Sequence, residues 1–292
     1  MTGIIIATKT TAWELHQAWY EDQLRLGFLP QWDFDRIKQA HDDHHQAVDL
    51  LEQELTKAKI FYRIVCIDHN DWQIDSQSKV IVTVGGDGTL LSASHRVPDE
   101  TVTIYGLRSS GTSVGYLCAG GIDKIPKLIS SIQENKFRVV LASRLGASIF
   151  RAGETSPIET PPALNDFLFS NANPAATTRY RITLGDRTEE HKSSGMWFST
   201  ALGSTASVSA AGGVIQPRTD VNFQYIVREL YRAAGKNFYL INGFFDPEIK
   251  RMIIENRSES AILAADGNHG ICKVNWGDRI VFKRARSVNI AY

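Results

Sequence analysis

A run of small residues between a strand and a helix constrains this chain more than any other feature. Positions 85–89 read Gly-Gly-Asp-Gly-Thr and directly follow 80–84, a mostly β-branched segment typical of a central parallel strand. The three glycines remove the Cβ atoms where the backbone must bend and come close to a ligand. Their open N–H groups, followed by a helix N-terminus, form an anion-binding turn. The sequence therefore predicts a phosphate site in a parallel α/β sheet.

Asp87 does not fit a turn that only binds phosphate. A carboxylate beside a bound phosphate is repelled unless it holds a metal ion or accepts a proton, so Asp87 indicates catalysis. The alternative is a glycine-rich turn in which Asp87 is an ordinary helix N-cap, and the density of glycine favours phosphate chemistry over it. The motif resembles the signature that NAD kinases share with diacylglycerol and sphingosine kinases, with a near relative in phosphofructokinases.

Composition restricts the partners that this chain can have. It has 292 residues, and its 32 lysine and arginine residues balance 32 aspartate and glutamate residues. Nucleic acids and anionic membranes attract an excess of basic charge, so neither is expected as a partner. No run reaches the roughly 18 apolar residues of a membrane helix. The absence of a membrane-docking surface weakens the lipid-kinase interpretation.

The cellular compartment is predicted from the N-terminus and the cysteines. The chain enters a strand almost at once, without a signal segment. Cys66, Cys118 and Cys272 are far apart and lack metal-ligand spacing, which favours buried thiols in a reducing compartment. We expect a cytoplasmic protein.

The pattern along the chain predicts two domains. Residues 1–135 alternate strand-like runs with helical periodicity, which favours an α/β domain with a Rossmann-like parallel sheet. Residues 136–292 carry short alternating runs separated by turn residues, which favours a mainly antiparallel β domain. Strands are predicted at 4–7, 61–67, 79–84, 102–105, 139–150, 163–170, 179–184, 196–200, 261–264, 270–275, 279–283 and 287–291, and helices at 13–26, 37–59, 122–133 and 222–234.

A dense polar cluster, His-Asp-Asp-His-His at 41–45, falls on the second predicted helix. Metal binding is conceivable there. Neighbours in sequence point in different directions around a helix, however, and cannot converge on one ion. We therefore interpret the cluster as a solvated polar face and predict no metal ligands in the chain.

Two further segments suit a nucleotide. Residues 192–213 offer small hydroxyl residues and glycine after an apolar strand, a surface against which a ring or sugar can lie. Asn165 and Asp166 stand side by side in a strand-like segment, where an amide and a carboxylate can bracket a cis-diol. Taken alone, the first segment fits a packed glycine/serine corner equally well, and Asn-Asp more often makes a turn.

In order and spacing these segments resemble the NAD kinase family, also called ATP–NAD kinases. The matching runs are Gly-Gly-Asp-Gly-Thr at 85–89, Ala-Leu-Asn-Asp-Phe at 163–167, Gly-Ser-Thr-Ala at 203–206, and Asp-Gly at 266–267 before Gly-Asp at 277–278. Lys-Thr-Thr at 9–11, Lys-Ser-Ser-Gly at 192–195 and Gln-Tyr-Ile-Val-Arg-Glu at 224–229 are similar to the divergent mitochondrial-type members. The resemblance extends over essentially the whole chain.

This resemblance implies transfer of the γ-phosphoryl group of ATP, or of another donor, to the adenosine ribose 2′-hydroxyl of NAD, giving NADP. Mg²⁺ would bridge the donor oxygens. The implied residues are Asp87 as the catalytic base, Gly85, Gly86, Gly88 and Thr89 at the phosphates, Asn165 and Asp166 at the ribose or nicotinamide side of NAD, and Thr205, Ala206 and Ser207 in the adenine and ribose pocket. Because family members form dimers or tetramers, a homodimer is expected.

Two positions depart from the family pattern. Ser207 stands where the family has a tyrosine that stacks on a base, a contact worth roughly 1–3 kcal/mol, so weaker NAD binding is expected. Arg108 falls in the segment that carries an asparagine in the family. A planar guanidinium suits phosphate, and Arg108 is therefore a candidate phosphate ligand, although an exposed loop arginine is an equal alternative.

Two other classes of function compete with the kinase. Gly-Thr-Ser-Val-Gly at 111–115 matches the Gly-x-Ser-x-Gly motif of hydrolases, and Asp186 and His269 follow Ser113 in hydrolase order. Residues 106–110 separate that motif from its strand, which disfavours a nucleophile elbow. The second alternative is a non-catalytic nucleotide sensor with the kinase fold, against which Asp87 argues, since a sensor needs no base.

Overall fold

The computed structural model describes residues 3–69, 71–112, 114–232 and 235–292. The chain divides into two compact units. The first contains Met1–Val140 and Val288–Tyr292, and the second contains Leu141–Ser287. The predicted division into functional domains at residue 135 stays a prediction. No helix in the described ranges is long and apolar enough to cross a membrane.

The first unit is built on a parallel sheet, as the alternating pattern predicts. In chain order its elements are β1 Gly3–Thr8, α1 Ala12–Arg25, α2 Gln31–Lys57, β2 Tyr62–Cys66, β3 Ser78–Gly85, α3 Asp87–Ser94, β4 Thr103–Arg108, a 3₁₀ turn at Ile122–Lys124 and α4 Ile125–Gln133. The strand order is β2-β1-β3-β4, with parallel pairing throughout. Residues 289–291 of the last strand pair in parallel with β4.

The order in which strands are added to this sheet reverses beside β1. The chain places β2 on one side of β1 and β3 on the other, so the crossover connections diverge there. In open α/β sheets, ligands bind at the carboxyl ends of the strands beside such a switch point. The β3 end and its Gly-Gly-Asp-Gly-Thr turn lie at this position.

A buried apolar cluster explains why these strands and helices form. Five consecutive β3 residues from Val80 are at most 4 % exposed, as expected of a strand covered on both faces. On α2, the buried Ala47, Leu51 and Leu55 recur at helical spacing and pack in the same cluster. This packing fixes the helix against the sheet behind the glycine turn.

The second unit is mainly antiparallel, as predicted. Its elements are β5 Val139–Phe150, β6 Ile158–Glu159, β7 Asp166–Asn171, β8 Thr178–Leu184, β9 Arg187–Ser193, β10 Gly195–Ser199, α5 Ser207–Ala210, β11 Phe223–Arg228, β12 Asn242–Phe245, β13 Met252–Asn256, β14 Ser260–Ala265, β15 Gly270–Asn275 and β16 Arg279–Ala291. One set of strands has the order β12-β11-β10-β7-β14-β15. Strands β9, β8, β13 and the first part of β16 form another antiparallel set.

The core of the second unit is rich in aromatic residues. Phe167, Phe198 and Phe282 are at most 2 % exposed and pack edge-on or tilted with centroids 4.1–6.4 Å apart from their ring neighbours. Such pairs add about 0.5–1.5 kcal/mol each beyond the area that they bury. The apolar faces of the strands meet in this cluster.

The prediction of a helix at 222–234 is wrong. Residues Phe223–Arg228 form strand β11, which pairs with β10 and β12. Phe223, Tyr225 and Val227 alternate into the aromatic core, the period of a strand. A short apolar run fits both periods, and burial decides between them. Residues 233–234 of the predicted helix lie outside the described ranges.

Candidate active site

The glycine turn joins β3 to α3 with little space for side chains. Gly85 has φ +157°, and a Cβ atom at this position would lie 2.2 Å from Thr89 Oγ1. Gly86 precedes the first residue of α3 with an extended backbone, whereas a Cβ on Gly88 would meet no atom within 4 Å. The side chain of Thr89 is buried against Gly85. The turn therefore needs glycine at 85, and its surface at 88 is open.

The Asp87 carboxylate is held by backbone N–H groups. Tyr116 N–H donates to Oδ2 at 2.9 Å, and Leu117 N–H donates to Oδ1 at 2.7 Å. The nearby Cys118 thiol has its pKa raised to about 12 by burial and by the Asp87 charge, so it stays neutral. Oδ1 also accepts a hydrogen bond from the Cys118 thiol at 3.9 Å, and Oδ2 keeps a lone pair that can accept a proton or contact a cation.

A cavity of about 200 Å³ lies at the carboxyl ends of β1, β3 and β4. Its wall combines backbone at the glycines, hydroxyl groups and basic side chains. The lining residues are Lys9, Thr11, Ala12, Trp13, Arg36, Ile37, Ala40, His41, His44, Gly85, Gly86, Ser109, Ser110 and Thr112. Arg36 is paired with Asp33 at 2.6 Å, while Lys9 has no carboxylate within 4 Å in the part of the chain that the structure describes. Lys9 therefore gives this cavity an uncompensated positive charge.

His44 ties two of these strand ends together. Its Nε2 is hydrogen-bonded to Thr8 Oγ1 at 2.8 Å, and its Nδ1 contacts Ser109 Oγ at 3.2 Å. The side chain is 2 % exposed. Burial, together with the neighbouring Lys9 charge, lowers the pKa of His44 to about 4, so the ring is neutral near pH 7. His44 positions the wall of the cavity without adding charge.

Arg108 lies beside the glycine turn but does not line the same cavity. The backbone N–H of Arg108 donates to Gly120 O at 2.7 Å, and the backbone N–H of Ser109 donates to Gly85 O at 3.2 Å. The Arg108 side chain lines a neighbouring cavity of about 270 Å³, which Ser109, Ser110 and Asp123 share. A phosphate role for Arg108 stays a prediction.

In the second unit, one carboxylate organises the Asn165–Asp166 segment. Asp266 Oδ2 accepts a hydrogen bond from Leu164 N–H at 2.8 Å, and its Oδ1 accepts from the N–H groups of Asn165 and Asp166 at 2.8 and 3.0 Å. Asp266 N–H in turn donates to Asp166 O at 2.9 Å. The β7 entry and the turn after β14 are thereby fixed to each other.

The two predicted acceptor-site side chains have unusual surroundings. Asp166 is 6 % exposed, and burial together with the Asp266 charge raises its pKa to about 7. Near neutral pH the Asp166 carboxyl is therefore partly protonated and can donate as well as accept hydrogen bonds. Asn165 Oδ1 is buried without a hydrogen-bond partner in the described ranges. Such an atom costs roughly 1–3 kcal/mol, and a donor on a bound molecule can satisfy it.

The Gly-Ser-Thr-Ala segment packs closely on the same two residues. A Cβ atom on Gly203 would lie 2.0 Å from Asn165 O, and Thr200 N–H donates to that oxygen at 2.9 Å. Thr205 and Ala206 are half-buried and Ser207, the first residue of α5, is exposed. The second unit thus brings Asn165 and Asp166 against the backbone of the segment that carries the other predicted pocket residues.

The predicted site residues therefore form two groups, one in each unit. Sequence reasoning missed the parts of each group that come from distant positions: Lys9 and His44 in the first unit and the Asp266 carboxylate in the second. Lys9 and Asp266 belong to runs that the family resemblance had matched, but no role followed from the runs alone. His44 carries no local signal that separates it from its histidine neighbours.

The hydrolase interpretation gains no support. Ser113 lies outside the described residues. The segment 114–121 contains bends and an isolated bridge at Gly120 before the 3₁₀ turn at Ile122–Lys124. A nucleophile elbow needs a strand, a sharp turn and a helix in direct succession, and these residues do not provide the helix.

Comparisons with known proteins point to one group of enzymes. No family model matches the chain. A rice protein (Oryza sativa subsp. japonica) described as a probable NADH kinase is 24% identical over 261 residues, which cover 81% of this chain and 77% of that protein. A bifunctional NADP phosphatase/NAD kinase of Methanocaldococcus jannaschii is 32% identical over 216 residues, covering 71% of this chain and 34% of that protein.

Among solved structures, yeast NADH kinase complexed with NADH is similar over nearly the whole fold. The TM-score is 0.72 at 15% identity, with 99% of this chain and 83% of the yeast chain covered. Identity at this level shows a shared fold. The two-unit architecture is thus one that a dinucleotide kinase also has.

Proposed function

We propose that this chain is a member of the NAD kinase family that transfers a phosphoryl group from ATP to the adenosine ribose 2′-hydroxyl of NAD, giving NADP; the named relatives and the shared fold support this. The observation that carries the proposal is the Asp87 carboxylate, fixed by two backbone N–H groups at the first residue of α3. Phosphoryl transfer depends on positioning, charge neutralisation and a base for the attacking hydroxyl.

Donor phosphates are best accommodated by the cavity at the switch point. The Gly85–Gly86 backbone, the Lys9 ammonium and the Ser109 hydroxyl supply hydrogen-bond donors at its wall, and the α3 N-terminus adds a favourable dipole. Oxygen atoms of Asp87 and of the nearby hydroxyls suit Mg²⁺, which prefers oxygen ligands and is usually bound to the phosphates of the nucleotide as well. When bound, the ion would neutralise charge on the donor.

Asp87 is the residue that we assign as the base. In this assignment its carboxylate accepts the proton of the ribose 2′-hydroxyl, whose oxygen forms a bond to the γ-phosphorus while the bond from that phosphorus to the bridging oxygen of ADP breaks. The N–H bonds from Tyr116 and Leu117 keep the carboxylate oriented. A positioned general base contributes about 10²–10⁴-fold to a rate.

Asn165 and Asp166 would hold the acceptor. The orphaned Asn165 Oδ1 can accept a hydrogen bond from a ribose hydroxyl, and the partly protonated Asp166 carboxyl can donate one. Thr205 and Ala206 would line the adenine and ribose pocket, with Ser207 in the position of the family's stacking tyrosine. Since relatives are named both NAD and NADH kinases, both forms of the acceptor need testing.

The test is direct assay of the purified full chain with NAD or NADH, ATP and Mg²⁺, measuring NADP or NADPH formed. We expect NADP formation and at least a 100-fold lower kcat in Asp87→Asn, with unchanged NAD affinity. Asp49→Asn, an exposed carboxylate on α2 of the same unit, is the matched control and should retain activity. An Asp87→Asn protein with wild-type kcat would remove Asp87 from the base role.

The sensor alternative predicts a different result in the same experiment. If NAD binds but no NADP forms with ATP, other nucleoside triphosphates or polyphosphate as donors, the chain is a nucleotide-binding protein without kinase activity.

We further propose a cytoplasmic homodimer, supported by the family resemblance and by three cysteines that form no disulfide. Light scattering on the purified protein tests the dimer, and microscopy of a tagged full chain tests the compartment.

A further inference from the structure

Three side chains of helices α1 and α2 converge on one point in the first unit. His41 and His45 are four residues apart on α2, on one face of the helix, with ring centroids 4.5 Å apart. Glu14, in the first turn of α1, reaches the same point, with Oε1 3.1 Å from His45 Nε2. One ligand atom from each residue lies within 4.8 Å of the other two. The interpretation of 41–45 as a solvated face considered one helix alone and missed the group that α1 supplies.

Thr11 holds two of these three side chains in place. Its hydroxyl contacts His41 Nδ1 at 2.8 Å and accepts Glu14 N–H at 3.2 Å, and its own N–H donates to Glu14 Oε2 at 2.6 Å. Thr11 is 5 % exposed, so these bonds are shielded from water. In metal sites, hydrogen bonds of this kind orient the ligands and raise affinity. Glu14 Oε2 is thereby occupied, and Oε1 remains available to an ion.

We propose that Glu14, His41 and His45 bind one divalent transition-metal ion of the zinc class. Two imidazoles and one carboxylate form the donor set that Zn²⁺ takes in sites with an open fourth position, whereas Mg²⁺ prefers oxygen ligands. Ligand atoms at about 2.0–2.1 Å from a tetrahedral Zn²⁺ lie about 3.4 Å apart. The His45–Glu14 distance is already close to this value, and a small side-chain rotation brings His41 into range.

Two consequences follow from where this ion would sit. It would add metal bonds between α1 and α2, which already meet through the Glu14–His45 and Thr11–His41 hydrogen bonds and the Trp13–Phe34 edge contact. It would also add positive charge near the cavity that Thr11 and His41 line together with Gly85 and Gly86. The imidazole ligands distinguish this ion from the Mg²⁺ of the proposed reaction, and its binding is measurable without substrate or turnover.

Calorimetric titration of the chelator-treated full chain with zinc chloride tests the proposal. We expect one Zn²⁺ bound per chain, a higher thermal midpoint with Zn²⁺, and no competition from millimolar Mg²⁺. Cobalt(II) in place of zinc should give the visible absorption of a low-coordinate nitrogen and oxygen site. His45→Gln and Glu14→Gln should each weaken Zn²⁺ binding at least about tenfold. Glutamine still accepts the capping bond at position 14, so this variant preserves the fold of α1.

His16→Gln is the matched control, because His16 is an exposed histidine on α1 outside the cluster. It should bind Zn²⁺ as the wild type does. The metal-free thermal midpoints of all variants separate loss of a ligand from loss of folding. Absence of saturable Zn²⁺ binding would overturn the proposal, and so would equal affinity in folded His45→Gln and Glu14→Gln, or a loss in His16→Gln as large as theirs.

Discussion

Among single residues, Asp166 shows most clearly how burial changes the chemistry of a side chain. The carboxyl is 6 % exposed and faces a second carboxylate, Asp266, whose oxygens are satisfied by three backbone N–H groups. Two buried carboxyl groups close together cannot both ionise without cost. Asp166 is therefore the member of the pair that keeps its proton up to about pH 7, and its carboxyl can donate a hydrogen bond.

This pair predicts a pH dependence of stability. The pKa of Asp166 rises from 3.8 in the unfolded chain to about 7 in the fold. A raised pKa favours the protonated folded state, so this contribution is fully present below pH 3.8 and is lost as the pH rises through about 7. Asp166→Asn mimics the protonated carboxyl and should be more stable than the wild type at pH 8, by up to roughly 4 kcal/mol.

Urea unfolding of both proteins between pH 4 and pH 8 measures this effect. The difference in the free energy of unfolding between Asp166→Asn and the wild type should shrink toward pH 4. A difference that stays constant over the whole range would mean that Asp166 does not titrate as its surroundings imply.

Among the helices and strands, the β3–α3 junction is the place where backbone geometry determines the site. Gly85→Ala would put a methyl group 2.2 Å from Thr89 Oγ1 at a residue with φ +157°. We expect a loss of about 1–3 kcal/mol in the free energy of unfolding and a higher KM for ATP, because the cavity wall must shift. A Cβ atom on Gly88 would meet no atom within 4 Å, so Gly88→Ala is the control for stability.

Chemical denaturation and steady-state kinetics of the two variants measure the contrast. Gly88→Ala lies in the first turn of α3 at an ordinary φ, where alanine is a better helix former than glycine. Equal stability of Gly85→Ala and Gly88→Ala would show that the turn adapts to a side chain.

Local pattern predicted most of the parallel strands and central helices but failed where tertiary contacts decide. The sequence of β11 predicts a helix because its six residues fit both the helical and the strand period, and its pairing with β10 and β12 makes it a strand. Strand β9, Arg-Thr-Glu-Glu-His-Lys-Ser, was not predicted at all. It pairs with β8 at the end of the strand order, and edge strands use charged side chains of this kind to resist aggregation.

For the chain as a whole, the glycine motif and the alternating pattern predicted the fold class, and the resemblance to NAD kinases also needed the runs at 163–167 and 203–206. The site was only partly accessible from the sequence. Asp87 and Asn165 stand inside recognisable runs, whereas the contacts of Asp266 with Leu164–Asp166 and of His44 with Ser109 join positions about 100 and 65 residues apart. Contacts over such separations follow from the sheet topology and carry no local signal.

The last strand predicts how the first unit depends on distant sequence. Val288, Ile290 and Ala291 are at most 2 % exposed, and residues 289–291 pair with β4. Burying a valine or isoleucine stabilises a fold by about 1.5–3 kcal/mol. Deleting 288–292 should therefore expose the β4 edge and increase proteolytic cleavage within residues 1–140.

Limited proteolysis followed by mass spectrometry locates the cleavage sites. Deletion of Tyr292 alone, which is 40 % exposed, leaves the paired residues in place and is the control. Identical cleavage of the 288–292 deletion and the wild type would show that the first unit is stable without this strand.

The same strand has a consequence for synthesis on the ribosome. Strands β1–β4 emerge early, yet the position beside β4 stays empty until residues 288–291 have been translated. The unit whose synthesis starts first is therefore completed last, and its open β4 edge is exposed to other chains throughout elongation. A stop codon before residues 288–291 would therefore damage the unit whose first strands, β1–β4, have already been translated.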